Sequence, residues 1–102
     1  MIYVLATIEV AEGRRDAFLA EFHRIVPLVR QEHGCLEYGP AVDVPTGIAV
    51  QGPIRDHTVT VVEKWESIDA LHAHLAAPHM TEYRERVRDL VVAVDLQVLQ
   101  PA

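Results

Sequence analysis

The apolar residues of this chain change their spacing repeatedly along its length, and that change of period restricts the fold more than any single motif. Ile2, Val4, Ala6, Ile8 and Val10 alternate with a more mixed set, as a strand with one buried face requires, and the run stops at Glu12-Gly13. From Arg14 the period lengthens. Ala17, Phe18, Phe22, Ile25, Val26 and Val29 recur at helical spacing, which predicts one apolar stripe on a helix ending near His33-Gly34. Pro27 lies inside that stretch, removes a backbone donor and predicts a kink. Cys35, Leu36, Tyr38 and Val42 suggest a second strand, with Gly39-Pro40 pointing to a bulge or a sheet edge. Pro45 to Asp56 is irregular and suits a small hairpin or a flap. His57 to Trp65 is the clearest strand, with Val59, Val61, Glu63 and Trp65 on one face and Thr58, Thr60, Val62 and Lys64 on the other. Ser67 suits the N-cap of a short helix to about Ala76, Pro78 the first turn of another to about Asp89, and Val91 to Leu99 returns to strand.

Strand, helix, strand, strand, helix pair, strand is the βαββαβ order of an α+β, ferredoxin-like domain. A length of 102 residues, half of them hydrophobic, supports one core and not two, so residues 1–102 read as a single domain. Helices on one face of four strands leave the other face bare, and the last strand is apolar on both sides through Val91, Val92, Ala93, Val94, Leu96, Val98 and Leu99. A second copy of the chain is the economical cover. The pattern therefore predicts a homodimer whose two sheets face each other.

Charge and cysteine usage narrow the partners. A net charge of −6 with no cluster of Lys or Arg argues against nucleic acid or an anionic membrane surface, each of which needs a basic stripe. Cys35 is the lone cysteine, no leader-like segment opens the chain, and the longest apolar run, Leu90 to Val94, is too short to span a bilayer. A soluble cytoplasmic protein with a small-molecule or protein partner is the expectation.

The residues that carry chemistry concentrate between Glu63 and His79, where one acid, one indole and two imidazoles follow one another across a strand, a helix and the break at Pro78. Proton abstraction from a small organic substrate needs a base and an apolar pocket that excludes water. Histidine is the natural base. His74 and His79, five residues apart, would converge from different elements rather than align on one helix. Trp65 offers a flat wall for an aromatic substrate, Glu63 can orient an imidazole, and Tyr38 and His23 are further substrate-binding candidates. Each also has a purely structural reading. Trp65 would anchor a core, Glu63 would pair with Arg84 or Arg88, and His79 would cap or pack. His57 and His72 read as solvated, and Cys35 as a small buried group. His72 and His74 lack the helical spacing of a zinc pair, and no glycine-rich loop opens a helix, so neither a metal nor a nucleotide or flavin cofactor is expected.

Glu32-x-Gly34-Cys35-Leu36-x-Tyr38, followed by Glu63-x-Trp65-x-Ser67-x3-Leu71-x2-His74-x3-Pro78-His79, resembles the antibiotic biosynthesis monooxygenase family of dimeric α/β-barrel proteins. The resemblance implies a ferredoxin-like fold, a dimer whose sheets form a barrel, and a pocket between sheet and helices in each subunit. It implies cofactor-independent oxidation of a small quinol-like or phenolic aromatic by O2, with His74, His79 and Glu63 as catalytic residues. Haem-degrading relatives place an Asn on the first strand, where this chain reads Leu5-Ala6-Thr7 and has no Asn at all, which argues against that branch. A small-ligand binding or stress protein without turnover, and an isomerase or degradative enzyme for an oxygenated metabolite, are the other functions the same pocket would serve.

Overall fold

Alternation along the first strand decides how the sheet is buried. In the computed structural model, which describes residues 1–102, strand β1 (Ile2–Val10) buries Ile2, Val4, Ala6, Ile8 and Val10 and turns the intervening residues outward. The remaining elements are α1 (Arg15–Arg30), β2 (Cys35–Ala41), β3 (Thr58–Trp65), α2 (Ile68–Leu75), α3 (Pro78–Val87) and β4 (Val91–Leu99). The strands form one antiparallel sheet of order β2-β3-β1-β4, the α+β ferredoxin-like fold. In its centre Ile2 pairs with Trp65, Val4 with Glu63, Ala6 with Val61 and Ile8 with Val59, so both strands turn their buried sets to the helices.

Helix α1 packs on that face through Phe18, Phe22, Ile25, Val26 and Val29, whereas Ala17 is exposed. It runs through Pro27 and ends one turn later at Arg30, short of His33-Gly34. The residues after it form a turn that Gly34 makes possible. Gly34 has φ +82, and a Cβ there would lie 2.6 Å from the Ala70 side chain. Only glycine meets both conditions.

Strand β2 is an edge strand, but its irregularity falls between Cys35 and Glu37, while Gly39 and Pro40 pair regularly with Val62 and Val61. The edge position tolerates Pro40, whose missing donor needs no second neighbour. Residues 45–56 form neither a hairpin nor a flap over the helix-facing side. They make an exposed loop tied at its neck by Arg55, whose guanidinium bonds both Asp43 oxygens at 2.8 Å, and inside by Gln51 Nε2 on the Val44 carbonyl at 2.8 Å.

The last strand is the exception to burial. Val94, Leu96 and Val98 pair with Ile8, Ala6 and Val4 and so lie on the helix-facing side, yet they are 58%, 48% and 40% exposed because the helices do not extend over β4. Leu5, Val62 and Leu99 are exposed aliphatics of the remaining strand surface. No helix is long and apolar enough to cross a membrane.

Candidate active site

Three local signals bring the polar groups together. The alternation of β3 turns Glu63 and Trp65 toward the helices. Ser67 Oγ accepts the Ala70 N–H at 3.1 Å and fixes the start of α2, so that Ala70, Leu71 and His74 form its buried stripe. Pro78 at the first position of α3 suits a helix start, since its missing donor would have no partner there, and puts His79 in the first turn.

Between the sheet and helices α2 and α3 lies a cavity of about 390 Å³, walled by Ala6, Ile8, Val61, Met80, Tyr83 and Val87 among others and reaching Val94 and Leu96 at the uncovered strand. Twelve of its sixteen lining residues are hydrophobic, so bound substrate would be largely removed from water. A hollow of about 540 Å³ along the edge of β2 is larger, but it holds no imidazole and no buried carboxyl. The chemistry belongs to the smaller space.

His74 is 1% exposed and sits between Trp65, with ring centroids 4.7 Å apart, and Tyr38, edge-on at 5.3 Å. Its Nδ1 lies 3.0 Å from Glu32 Oε2, and His79 Nε2 approaches the same oxygen at 2.8 Å. Beside it, Trp65 Nε1 donates to Glu63 Oε1 at 2.8 Å. The far nitrogen of His74, the second oxygen of Glu63 and the hydroxyls of Tyr38 and Tyr83 have no protein partner, and no polar side-chain atom is sealed away unpaired. Each therefore reaches open space, and all four residues line the cavity.

Burial sets their protonation. Desolvation lowers the His74 pKa from its ordinary value, against the opposing pull of Glu32, so the imidazole is neutral at neutral pH. Desolvation pushes Glu63 up to about 7; the Trp65 hydrogen bond opposes this and the Glu32 charge adds to it. The Tyr38 and Tyr83 phenols are also raised, first by burial, and remain neutral donors. Burial and then the Glu32 charge raise Cys35, keeping it a thiol.

Several expected placements change. Trp65 is fully buried behind Glu63 and His74 and is not on the cavity wall; Phe22, Tyr38 and Tyr83 supply the aromatic surface instead. Glu63 has no cationic partner, because Arg84 bonds the Leu75 carbonyl at 2.8 Å and Arg88 pairs with Glu85 at 2.8 Å. Glu63 does not orient an imidazole either. That contact belongs to Glu32. His23 faces solvent, since the helical period that turns Phe22 and Val26 inward turns position 23 out. His79 touches Glu32 but does not line the cavity. His57 and His72 are exposed. Glu32 and Tyr83 are site residues that the sequence reading does not single out. Glu32 lies in a turn, where no periodicity signals a direction, whereas Tyr83 could have been found from its helical spacing with Met80 and Val87. No group of three or more His, Cys, Asp or Glu side chains is arranged to hold a metal ion.

Comparison with known proteins agrees with this architecture. Residues 1–86 match the antibiotic biosynthesis monooxygenase family. The chain is 41% identical over 103 aligned positions to the probable quinol monooxygenase YgiN of Escherichia coli K12, covering 99% of this chain and 98% of that protein. Among solved structures, PA3566 of Pseudomonas aeruginosa superposes with a TM-score of 0.81 at 25% identity, over 99% of this chain and 93% of that one. Protein SO0527 of Shewanella oneidensis gives 0.78 at 28% identity, over 96% and 87%. Fold, motif order and sequence identity over nearly the whole length converge: the chain belongs to the antibiotic biosynthesis monooxygenase family.

Proposed function

We propose that the protein is a cofactor-independent quinol monooxygenase, an oxidoreductase that converts a small quinol and O2 to a hydroxyquinone and water. The observation that carries this reading is the pairing, on one apolar cavity, of a neutral His74 with a free ring nitrogen and a Glu63 carboxyl held near pH 7. His74 Nε2 takes the phenolic proton. The quinolate gives an electron to O2, superoxide and semiquinone recombine to form a C–O bond, and the imidazolium returns its proton to the distal peroxide oxygen. His74 then takes the proton of the ring carbon as the O–O bond breaks, Glu63 protonates the departing hydroxide to water, and passage of the His74 proton back to Glu63 restores both groups, while the water-poor cavity limits escape of superoxide. In this reading the Tyr38 and Tyr83 hydroxyls, on residues that line the cavity, bond the quinol oxygens. The name of the Escherichia coli relative supports the substrate class.

The functional unit in this reading is a homodimer, in which a second copy covers the exposed β4 aliphatics. Sedimentation equilibrium tests that part directly, and a monomer at micromolar concentration would exclude it. The reaction is tested by oxygen uptake of metal-stripped protein with benzoquinols and dihydroxynaphthalenes, against His74→Gln and heat-inactivated controls. Saturable uptake lost in the variant supports the oxygenase. Substrate conversion under nitrogen would move the assignment to an isomerase, for which the same acid and base suffice. Binding with uptake no faster than autoxidation would make the protein a binder.

A further inference from the structure

Glu32 and His79 lie outside the cavity wall, yet both connect to its base. We infer that they form a positioning relay in which Glu32 fixes the His74 tautomer and His79 fixes Glu32. The inference rests on the proposed role of His74 and deepens it. An ionised carboxylate only accepts, so both imidazole nitrogens that meet Glu32 Oε2, at 3.0 Å and 2.8 Å, are N–H donors. His74 is thereby held with its proton on Nδ1, and the Nε2 lone pair is left for the cavity. A histidine with the opposite tautomer would present a proton to the substrate and could not act as base.

The arrangement is tertiary rather than an incidental surface contact. Glu32 comes from the turn after α1, His74 from α2 and His79 from α3. The backbone of Glu32 is fixed on both sides, its N–H bonding the Val29 carbonyl at 2.9 Å and its carbonyl accepting from Cys35 at 3.1 Å. Its side chain is 15% exposed and that of His79 24%, against 2% for His74, so the relay runs from the solvent margin to the cavity base. A carboxylate there would otherwise turn toward water; the second N–H donor, on His79, counters that by holding the shared oxygen in place. Glu32 also supports the imidazolium that forms during turnover. The other ionisable groups near the pair are Glu63 on β3, Tyr38 and Cys35 on β2, Arg84 on α3, and His33 and Asp69, which share a surface hollow with Glu32.

The relay separates experimentally from the oxygenase assignment because its first readout needs no turnover. Long-range ¹⁵N–¹H NMR of the wild type is expected to show His74 as the Nδ1–H tautomer. His79→Ala is expected to mix the tautomers and lower kcat about tenfold, the scale of one hydrogen bond to a charged group, with KM little changed. His79→Gln, whose amide N–H can reach Glu32, is expected to recover most of that loss. Glu32→Gln removes the interactions that raise the His74 pKa, so the acid limb of kcat/KM moves to lower pH while kcat falls. An Nε2–H tautomer in the wild type, or a His79→Ala variant with unchanged tautomer and kcat, would overturn the relay. If His79→Ala does not fold, the His79→Gln and Glu32→Gln spectra decide in its place. A protein that turns over no quinol but retains the Nδ1–H tautomer through Glu32 and His79 would refute the oxygenase and leave the relay standing.

Discussion

Replacing Glu63 by Gln isolates the energetic cost of the buried acid. The folded carboxyl titrates at about 7 and the unfolded one near 4.5. Below the lower value both states are protonated, and the folded state has its full stability. As pH rises, the unfolded chain ionises first and is favoured, and the loss levels off once the folded carboxyl has also ionised. At 1.36 kcal/mol for each tenfold in proton affinity, the loss reaches roughly 3 kcal/mol by pH 8. Gln cannot ionise, while its Oε1 still accepts from Trp65 Nε1. His74, with a lowered pKa, has the opposite sign: its contribution is lost as pH falls from about 6.5 through the folded value. That effect is common to both proteins and cancels in the difference. Urea unfolding at fixed protein concentration, at pH 4.5 and at pH 8, is therefore expected to show Glu63→Gln gaining roughly 3 kcal/mol relative to wild type between the two. A difference that changes by less than about 0.5 kcal/mol, within the error of the extrapolation, would refute the argument that Glu63 is kept neutral by burial.

Other perturbations test separate parts of the structure. Gly34→Ala combines a positive φ with a methyl driven against Ala70 and is expected to cost about 2–4 kcal/mol in chemical denaturation, whereas Gly13→Ala, at φ +75 in open space, should cost about 1 kcal/mol. In Arg55→Ala the Asp43 carboxyl, held at about 2 chiefly by the Arg55 side-chain and backbone hydrogen bonds, should rise toward the ordinary carboxylate range, as read by NMR titration. His74→Gln should lower kcat by about 10²–10⁴-fold, the range of a general base, in stopped-flow oxygen consumption. Val98→Asp places a charge on the exposed stripe of β4 away from the cavity and should convert the proposed dimer to monomer in sedimentation, with the helix content seen by circular dichroism unchanged.

Elements were legible in the sequence where one period dominated. The alternation of β1 and β3, the stripe of α1, and the Ser67 and Pro78 starts all have local causes, and the structure reproduces them. The direction of position 23 is equally local, but a histidine suggests a chemical role that its place on the outer face of α1 does not allow. The site was legible in part. His74 and Glu63 reach the cavity, but which acid meets which imidazole depends on tertiary geometry. Glu32 precedes His74 by forty-two positions, and the Gly34 turn packs closely on Ala70 of the helix that carries His74. For Trp65, residue type pointed to a substrate wall, while the strand register set it opposite Ile2 and under His74, where it orients Glu63 through its N–H instead.

The stripe Val94, Leu96 and Val98 connects the stability of the fold to its function. These residues share a sheet face with Ile8, Ala6 and Val4, which are nearly sealed, and differ only in having no helix above them. Extending α3 over β4 would bury the stripe, at about 25 cal/mol for each Å² of apolar area removed from water. It would also close the side on which the cavity meets Val94 and Leu96, and no ligand could enter by that route. In the proposed dimer, covering the stripe with a second copy rather than a longer helix would allow burial and access to be set separately, since an interface can abut the outer part of β4 and leave the inner part open. Substitutions along the strand should accordingly divide. A bulky residue at Leu96, which lines the cavity, should raise KM with the oligomer intact, while a charge at Val92, which does not line it, should weaken assembly and leave KM of the remaining dimer unchanged. Steady-state oxygen uptake and sedimentation on the two variants measure both quantities, and an effect of Leu96→Trp on assembly alone would remove β4 from the substrate path.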